Sequence, residues 1–306
     1  RDSRSGCALG GRCRELDGSA MNGRSPLTLV LPATLWLAVA WGWPLVLVLS
    51  MSFRNMDPMT FELSGFTLKH FREVLTDSFY LDAIFRSLRI ATIVTILSCV
   101  LGYPAALHIA RTTSQRARAA YTLILLIPVM ISLVVTAFAW ILILGPSGFI
   151  NRALASLHLT SEPLQFLNSE AGIIAVLVYS FGPYMIINIC TALEKIDPAI
   201  LRAAELHGAN PRRVFARVTL PLSFPGILSG GLIVFSLSAA AFVTPYVIGG
   251  NRVKVVPLQI YNAAVTTFDW PMAATLSIVL LILSILLTTA VARLTERRFA
   301  AWLGGS

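Results

Sequence analysis

The apolar positions of this chain neither alternate nor fall into narrow stripes; they run on for twenty residues and more. Six such stretches, roughly 27–50, 87–109, 119–143, 171–193, 226–248 and 271–292, are separated by segments that hold most of the charge. A helix needs about 20 apolar residues to cross roughly 30 Å of hydrocarbon. Backbone groups must bond internally where no water reaches them, so each stretch is predicted as a helix. The ten-residue alternating segments of a barrel are not seen. The first stretch is longer than a signal-peptide core and lacks a small-residue cleavage site, which predicts a retained span. An even number of spans returns both termini to one side.

Composition agrees. Of 306 residues, 56% are hydrophobic and 13% charged, against about 45–50% and about 25% in soluble domains. The net charge of +9 reads as flanking arginines that orient spans, not as a nucleic-acid surface. Residues 1–20, rich in Gly, Ser and Arg and without periodicity, are expected to form a disordered tail that reaches residue 25, with Met21 as the expected native start. Cys7 and Cys13 fall in that tail with no His at ligand spacing, and Cys99 and Cys190 lie in apolar runs, so no metal site or disulfide is expected.

Basic residues decide orientation. Sixteen of the 24 flank one side: Arg1, Arg4, Arg12, Arg14 and Arg24; Arg111, Arg116 and Arg118; Lys195, Arg202, Arg212, Arg213 and Arg217; Arg293, Arg297 and Arg298. The other eight share their side with eight acidic residues. The bias predicts that both termini and the 194–222 loop are cytoplasmic. On the outer side, "FTLKHFREVL" is expected to lie along the membrane surface through Phe66, Leu68, Phe71, Val74 and Leu75.

No Asp, Glu, Lys, Arg or His stands in the middle of any span; Arg89 and His108 lie near opposite ends of the second, where snorkelling suffices. Carriers driven by ion gradients ordinarily need such groups at midplane depth. Nucleotide cradles, G-x-S-x-G elbows and H-E-x-x-H pairs are also missing from the sequence. The chain is therefore not expected to be an enzyme, and any energy for transport enters from outside it. A stand-alone channel or secondary carrier is the rival reading.

One polar island interrupts this pattern: "RAAELHGANPRRVFARVTLP", residues 202–221. Asp197-Pro198 is a helix-start signature, Gly208 a left-handed stop, and Asn210-Pro211 a second start. The spacing predicts two short helices hinged at Gly208, the second with Val214, Phe215 and Val218 on one side and ended by Leu220-Pro221; Leu201, Val214 and Phe215 are the expected apolar anchor. Paired caps and an apolar stripe suit a rigid dock better than a solvated loop, which is the alternative. In spans four and five, Tyr179, Ser180, Tyr184, Asn188, Ser236 and Ser238 are candidates for a translocation pathway, or else hydrogen-bond glue between helices.

The island resembles the EAA loop of permease subunits in ATP-binding-cassette importers. Ala203, Ala204, Gly208, Val218, Leu220 and Pro221 fall at that pattern's positions, while Arg202 replaces its Glu and a Glu stands at Glu205. "GYPAALHIAR" (102–111), "FVTPYVIGG" (242–250) and "FDWPMAA" (268–274) are similar to permeases of the spermidine/putrescine group, the first of its two subunits in particular. Relatives of that kind also carry opines, iron or phosphonates. The resemblance implies a type I importer permease: an all-α six-span domain over 26–300 with a coupling loop at 194–222 and a short tail at 301–306. It implies contact with a cytoplasmic ATPase through Arg202, Ala203, Ala204, Glu205, Gly208, Ala209, Phe215, Leu220 and Pro221. Implied partners are a second permease, an ATPase dimer that binds the ATP, and an external solute-binding protein. No cofactor is expected in the chain itself, and its place is the bacterial inner membrane.

Overall fold

A computed structural model describes residues 26–57, 62–157, 164–250 and 252–303. The expectations for the tail 1–25, for Cys7 and Cys13 and for the last three residues lie outside these. Among the described residues six helices are long and apolar enough to cross a membrane. The chain divides at Val48 into two units. The first is described by α1, Pro26–Ser52, a helix that carries Pro32 and Pro44 within it.

The second unit opens with a feature the apolar pattern did not disclose. Strands β1 (Arg54–Met56) and β2 (Leu63–Phe66) pair antiparallel, and Phe53 stacks on Phe66 and Phe71 at 5.3 and 5.1 Å between ring centroids. Helix α2 (Lys69–Thr76) follows and is shorter than the expected surface helix. Phe66 belongs to β2, and Leu68 and Leu75 stay exposed, while Val74 is wholly buried. The helix's buried side, His70 and Val74, packs on the rest of the unit.

Helix α3 (Ser78–Arg111) is capped by Asp77, which accepts from the Phe79 N–H at 2.9 Å. The third apolar stretch is not one helix. Its pieces are α4 (Gln115–Met130) and α5 (Leu133–Leu144), separated by Ile131 and Ser132 in extended backbone. Pro128 has no N–H to donate to the carbonyl four residues back, so the last turn of α4 is one bond short where the chain departs. Pro104 and Pro183 are carried inside α3 and the later helix Glu170–Glu194 without ending them. After α6 (Phe149–Ser156), buried Asn151 holds the connection: its amide donates to the carbonyls of Gly145 and Leu164 and accepts from the Leu164 N–H.

The core of the bundle is α3, α7 (Glu170–Glu194) and α10 (Leu220–Ala239), packed side against side. Val94, Ile173, Met185, Ile189 and Val234 are fully enclosed there. Gly226 and Gly230, one turn apart on α10, let it approach α7 closely. A Cβ at Gly226 would come within 2.5 Å of Ala192 Cβ, and one at Gly230 within 2.9 Å of Met185 Sδ. Van der Waals packing at small residues is the main adhesive between helices in lipid, where apolar exposure costs nothing. Lipid-side positions confirm the setting: Val100, Leu123, Leu142 and Leu286 are more than half exposed. Span hydroxyls bond within their own helices, Thr92 to Leu88 O at 2.7 Å, Thr191 to Ile187 O at 2.9 Å and Ser277 to Ala273 O at 2.8 Å.

Arg89 does not simply snorkel. It is hydrogen-bonded to Glu170 at the start of α7, and Arg86 Nε lies 3.4 Å from the same carboxylate. This cluster ties α3 to α7 at one end of the bundle. Beyond α10, a π-helical turn (Pro245–Gly249), α11 (Val256–Tyr261), a second π-turn (Asn262–Thr266) and α12 (Trp270–Leu303) complete the unit. With α2 and the start of α3 they enclose a second apolar cluster that includes Val74, Ile84, Val256 and Leu276.

Candidate functional site

The polar island builds itself from its caps. Helix α8 runs Pro198–Leu206, and the Asp197 carboxylate accepts from the Ala199 N–H at 2.8 Å. At its other end Ala209 N–H donates to Ala204 O at 3.2 Å and Gly208 N–H to Glu205 O at 2.9 Å. That reciprocal pair closes a helix only if the residue between adopts left-handed backbone. Gly208 does so, with φ +79 and open space where a Cβ would stand. Asn210 then accepts from Arg213 N–H at 2.9 Å and starts α9 (Pro211–Val214).

The second helix does not end at Leu220-Pro221 as expected. A π-helical turn, Phe215–Thr219, carries α9 into α10, with Leu220 N–H donating to Phe215 O five residues back. Pro221 has no N–H and its ring crowds the preceding turn; the widened turn absorbs both defects. Pro211–Ala239 is therefore one shaft of 29 residues, about 43 Å at 1.5 Å per residue. Only α8 is a separate short helix, and the Gly208 turn joins it to the foot of a span.

The expected apolar anchor also faces the other way. Val214 is buried, and the Phe215 ring meets Tyr103 of α3 edge-on at 5.7 Å. The Tyr103 hydroxyl in turn hydrogen-bonds Ser223 Oγ at 2.9 Å. Leu201 is half-buried over a cavity of about 470 Å³ between the ends of α3 and α7. These residues fasten the element to its own bundle. What α8 presents outward is Ile200, Ala203 and Leu206, the last 89% exposed. They follow at three-residue steps and so share a face. Arg202, Glu205 and Gly208 are exposed beside them, Ala204 and Ala209 half-buried. The outward stripe was legible in the spacing of Ile200, Ala203 and Leu206, but the sequence alone did not say which of two apolar sets points in.

At the root of the element, Arg118 braces two helix ends. Its Nη1 lies 3.6 Å from Glu194 Oε1 and its Nη2 donates to Ala110 O at 3.2 Å. Both side chains are about 40% exposed, so the pair contributes orientation more than stability.

The pathway candidates divide. Asn188 bonds Tyr184 O at 2.8 Å and accepts from Ser229 of α10 at 3.2 Å, which makes it interhelical glue at the Gly226–Gly230 seam. Tyr184 is half-buried against the core. Ser180 and Ser238 are buried, and their hydroxyls have no hydrogen-bond partner among the described residues. Tyr179 is 40% exposed, edge-on to Trp140 at 5.5 Å, and Ser236 is exposed. A three-ring cluster that sequence reasoning missed lies beyond α10: Phe242, Tyr246 and Tyr261, with centroids 4.9 to 5.6 Å apart. Its members come from two segments fifteen residues apart, a distance no local period bridges.

Residues 98–300, which contain this whole site, match the family described as binding-protein-dependent transport system inner membrane component. The inner membrane ABC transporter permease protein YdcU of Escherichia coli strain K12 is 32% identical over 280 residues, 87% of this chain and 88% of that protein. The spermidine/putrescine transport system permease protein PotB of Haemophilus influenzae is 30% identical, with 82% and 90% covered. A solved bacterial ABC transporter involved in the import of the acidic polysaccharide alginate shares the fold, with a TM-score of 0.73 at 20% identity over 89% of this chain and 95% of that one. These relatives are transport proteins, and none is described as an enzyme. With six spans, the glycine-stopped helix α8 and a family match over most of its length, the chain belongs to the binding-protein-dependent transport inner-membrane family and is a multi-pass permease subunit of an ABC importer.

Proposed function

We propose that α8 is the surface through which a separate cytoplasmic ATPase drives this permease, and that the cargo is a polyamine or a related small organic amine. The observation that carries the coupling role is the rigid mounting of an outward apolar stripe. Ile200, Ala203 and Leu206 stand on a helix capped at both ends and joined by one turn to the 29-residue shaft of α9 and α10. An apolar face kept exposed in water suits a protein cleft. Motion of α8 passes to the shaft through the Gly208 turn, and the shaft passes it to α7 through the glycine seam. Such coupling needs a difference in free energy between two bundle states, which ATP binding to the partner supplies.

In this reading Arg202, Ala203, Ala204, Glu205, Gly208 and Ala209 form or border the contact, with ATP held by the partner and not by this chain. Phe215, Leu220 and Pro221 act from behind it, as the joint that ties the element to the shaft. Arg202 offers a cation where the family's loop has a carboxylate, so the ATPase is expected to present an acidic group or an open rim there. Both termini and residues 194–222 are placed in the cytoplasm by the arginine bias. A second, homologous permease completes the pathway, and an external solute-binding protein delivers cargo. Likeness to a protein named for spermidine/putrescine transport supports the amine cargo. Tyr179 and Tyr184 supply ring faces for cations, at about 0.5–2 kcal/mol per contact, while Ser180, Ser236 and Ser238 supply hydroxyls.

The test is Gly208→Val in the importer reconstituted with its ATPase and binding protein. Left-handed backbone costs a β-branched residue about 1–2 kcal/mol or more, and no neighbour stands in the way of the side chain itself. ATP-driven uptake of labelled spermidine is expected to fall at least tenfold while insertion and thermal unfolding of the bundle hold. Unchanged uptake in that variant rejects the coupling role. Uptake of a different solute class by the wild-type importer rejects the cargo.

A further inference from the structure

At the end of the bundle opposite α8, a cavity of about 590 Å³ opens between α2, the start of α3, the second π-turn and the start of α12. Its volume falls in the roughly 300–1,000 Å³ range of small-molecule sites. Two carboxylates, Glu73 and Asp269, line it together with Tyr80, Gln259, Asn262 and Thr267, and no basic side chain does. Neither carboxylate is in an ion pair among the described residues. One Asp269 oxygen accepts from Met272 N–H at 3.0 Å and caps α12, which leaves the other oxygen for a ligand.

Gln259 points to the same use. It is only 8% exposed, lines this cavity, and its side-chain amide makes no hydrogen bond among the described residues. Its oxygen and nitrogen are not among the sealed, unpaired polar atoms of the core, so the amide is open to whatever enters the cavity. An amide oxygen and two carboxylates are all acceptors, and their complement is a cation with several N–H donors. A bare divalent metal fits less well, since among the described residues no three His, Cys, Asp or Glu side chains gather to hold one. Phe268, at the rim, sits in left-handed backbone with φ 56.

We infer that this cavity is a receiving site for the ammonium group of an organic amine, held by Glu73 and Asp269 and hydrogen-bonded by Gln259. The amine's identity as a polyamine rests on the cargo reading above; the cavity's affinity for ammonium groups does not.

The experiment titrates the full chain in nanodiscs with 1,4-diaminobutane by calorimetry, and separately with calcium chloride. The wild type is expected to bind the diamine saturably. Glu73→Gln with Asp269→Asn weakens it about tenfold or more, since charge-assisted bonds are lost while the α12 cap survives. Asp82→Asn, an exposed carboxylate off the cavity, leaves it unchanged. Gln259→Glu adds a third carboxylate and tightens it, a gain that misfolding does not imitate. No saturable diamine binding, equal binding in the double variant, or calcium binding in place of the diamine overturns the inference. Polyamine uptake by the assembled importer is measured in parallel. If uptake is absent while diamine binding follows the variants as expected, the cargo reading falls and the cavity stands. If the wild type imports polyamine and the double variant binds diamine equally well, the cavity falls alone.

Discussion

The two ends of this bundle are built from the same parts and offer opposite chemistry. Each has a short helix, and each has a π-turn beside a proline or an asparagine. At the α8 end the short helix turns apolar residues outward among arginines, and its buried residues serve only to fasten it. At the opposite end α2 and α11 turn their apolar residues into a second cluster and leave a polar, acidic hollow between them. In the two proposals above, the exposed apolar face of a stiff helix is offered to a folded protein and the half-open, acceptor-lined cavity to a small cation. Between them runs the α3–α7–α10 core, closely packed at its glycine seam, through which position would pass from one end to the other.

If that division is right, the seam is where one substitution harms both ends at once. Gly226→Val would drive a side chain into Ala192 Cβ and Asn188 O, at 2.5 and 2.7 Å for the Cβ alone. Backbone on both sides resists, so a loss of about 3 kcal/mol is expected. A thermal melt in detergent reads it, and diamine binding and uptake should fail together; survival of either shows the ends do not share the seam. A smaller and more selective effect is expected from Leu206→Glu. Uptake driven by ATP falls about tenfold as a charge meets the apolar cleft, while the melt and diamine binding stay put. A lowered melting temperature in that variant would mean Leu206 packs within its own chain, against the contrast drawn here. The smallest effect belongs to Tyr103→Phe. It removes the bond to Ser223 but keeps the ring against Phe215. About 0.5–1 kcal/mol of stability goes, with uptake almost unchanged; a large uptake defect would make the joint, not α8, the point of control.

Much of this was readable from residue order. Span number and the caps of α8 and α9 follow from local rules, since hydropathy and capping act over a few residues. The start and stop of α8 fell at Asp197-Pro198 and Gly208, as their chemistry requires. What misled was the meaning of Leu220-Pro221. Proline before a span reads as a stop, yet a π-turn carried the helix past it, because the adjoining span gained more by packing than the ladder lost by one missing bond. The break at Ile131–Ser132 and the pairing of strands 54–56 and 63–66 were hidden for the converse reason: an unbroken apolar or mixed run does not show where tertiary contacts bend it.

Taken alone, the order of residues determined that this chain lives in lipid, how many times it crosses, and where a helix must stop on glycine. Those outcomes depend on solvation and on backbone geometry over one or two turns. Only the folded arrangement decided that Phe215 faces Tyr103 and Leu206 faces out. It also brought Glu73 and Asp269, far apart along the chain, to the walls of one cavity beside Gln259. Side-chain partnership between distant segments is set by helix packing, and no local period carries that information.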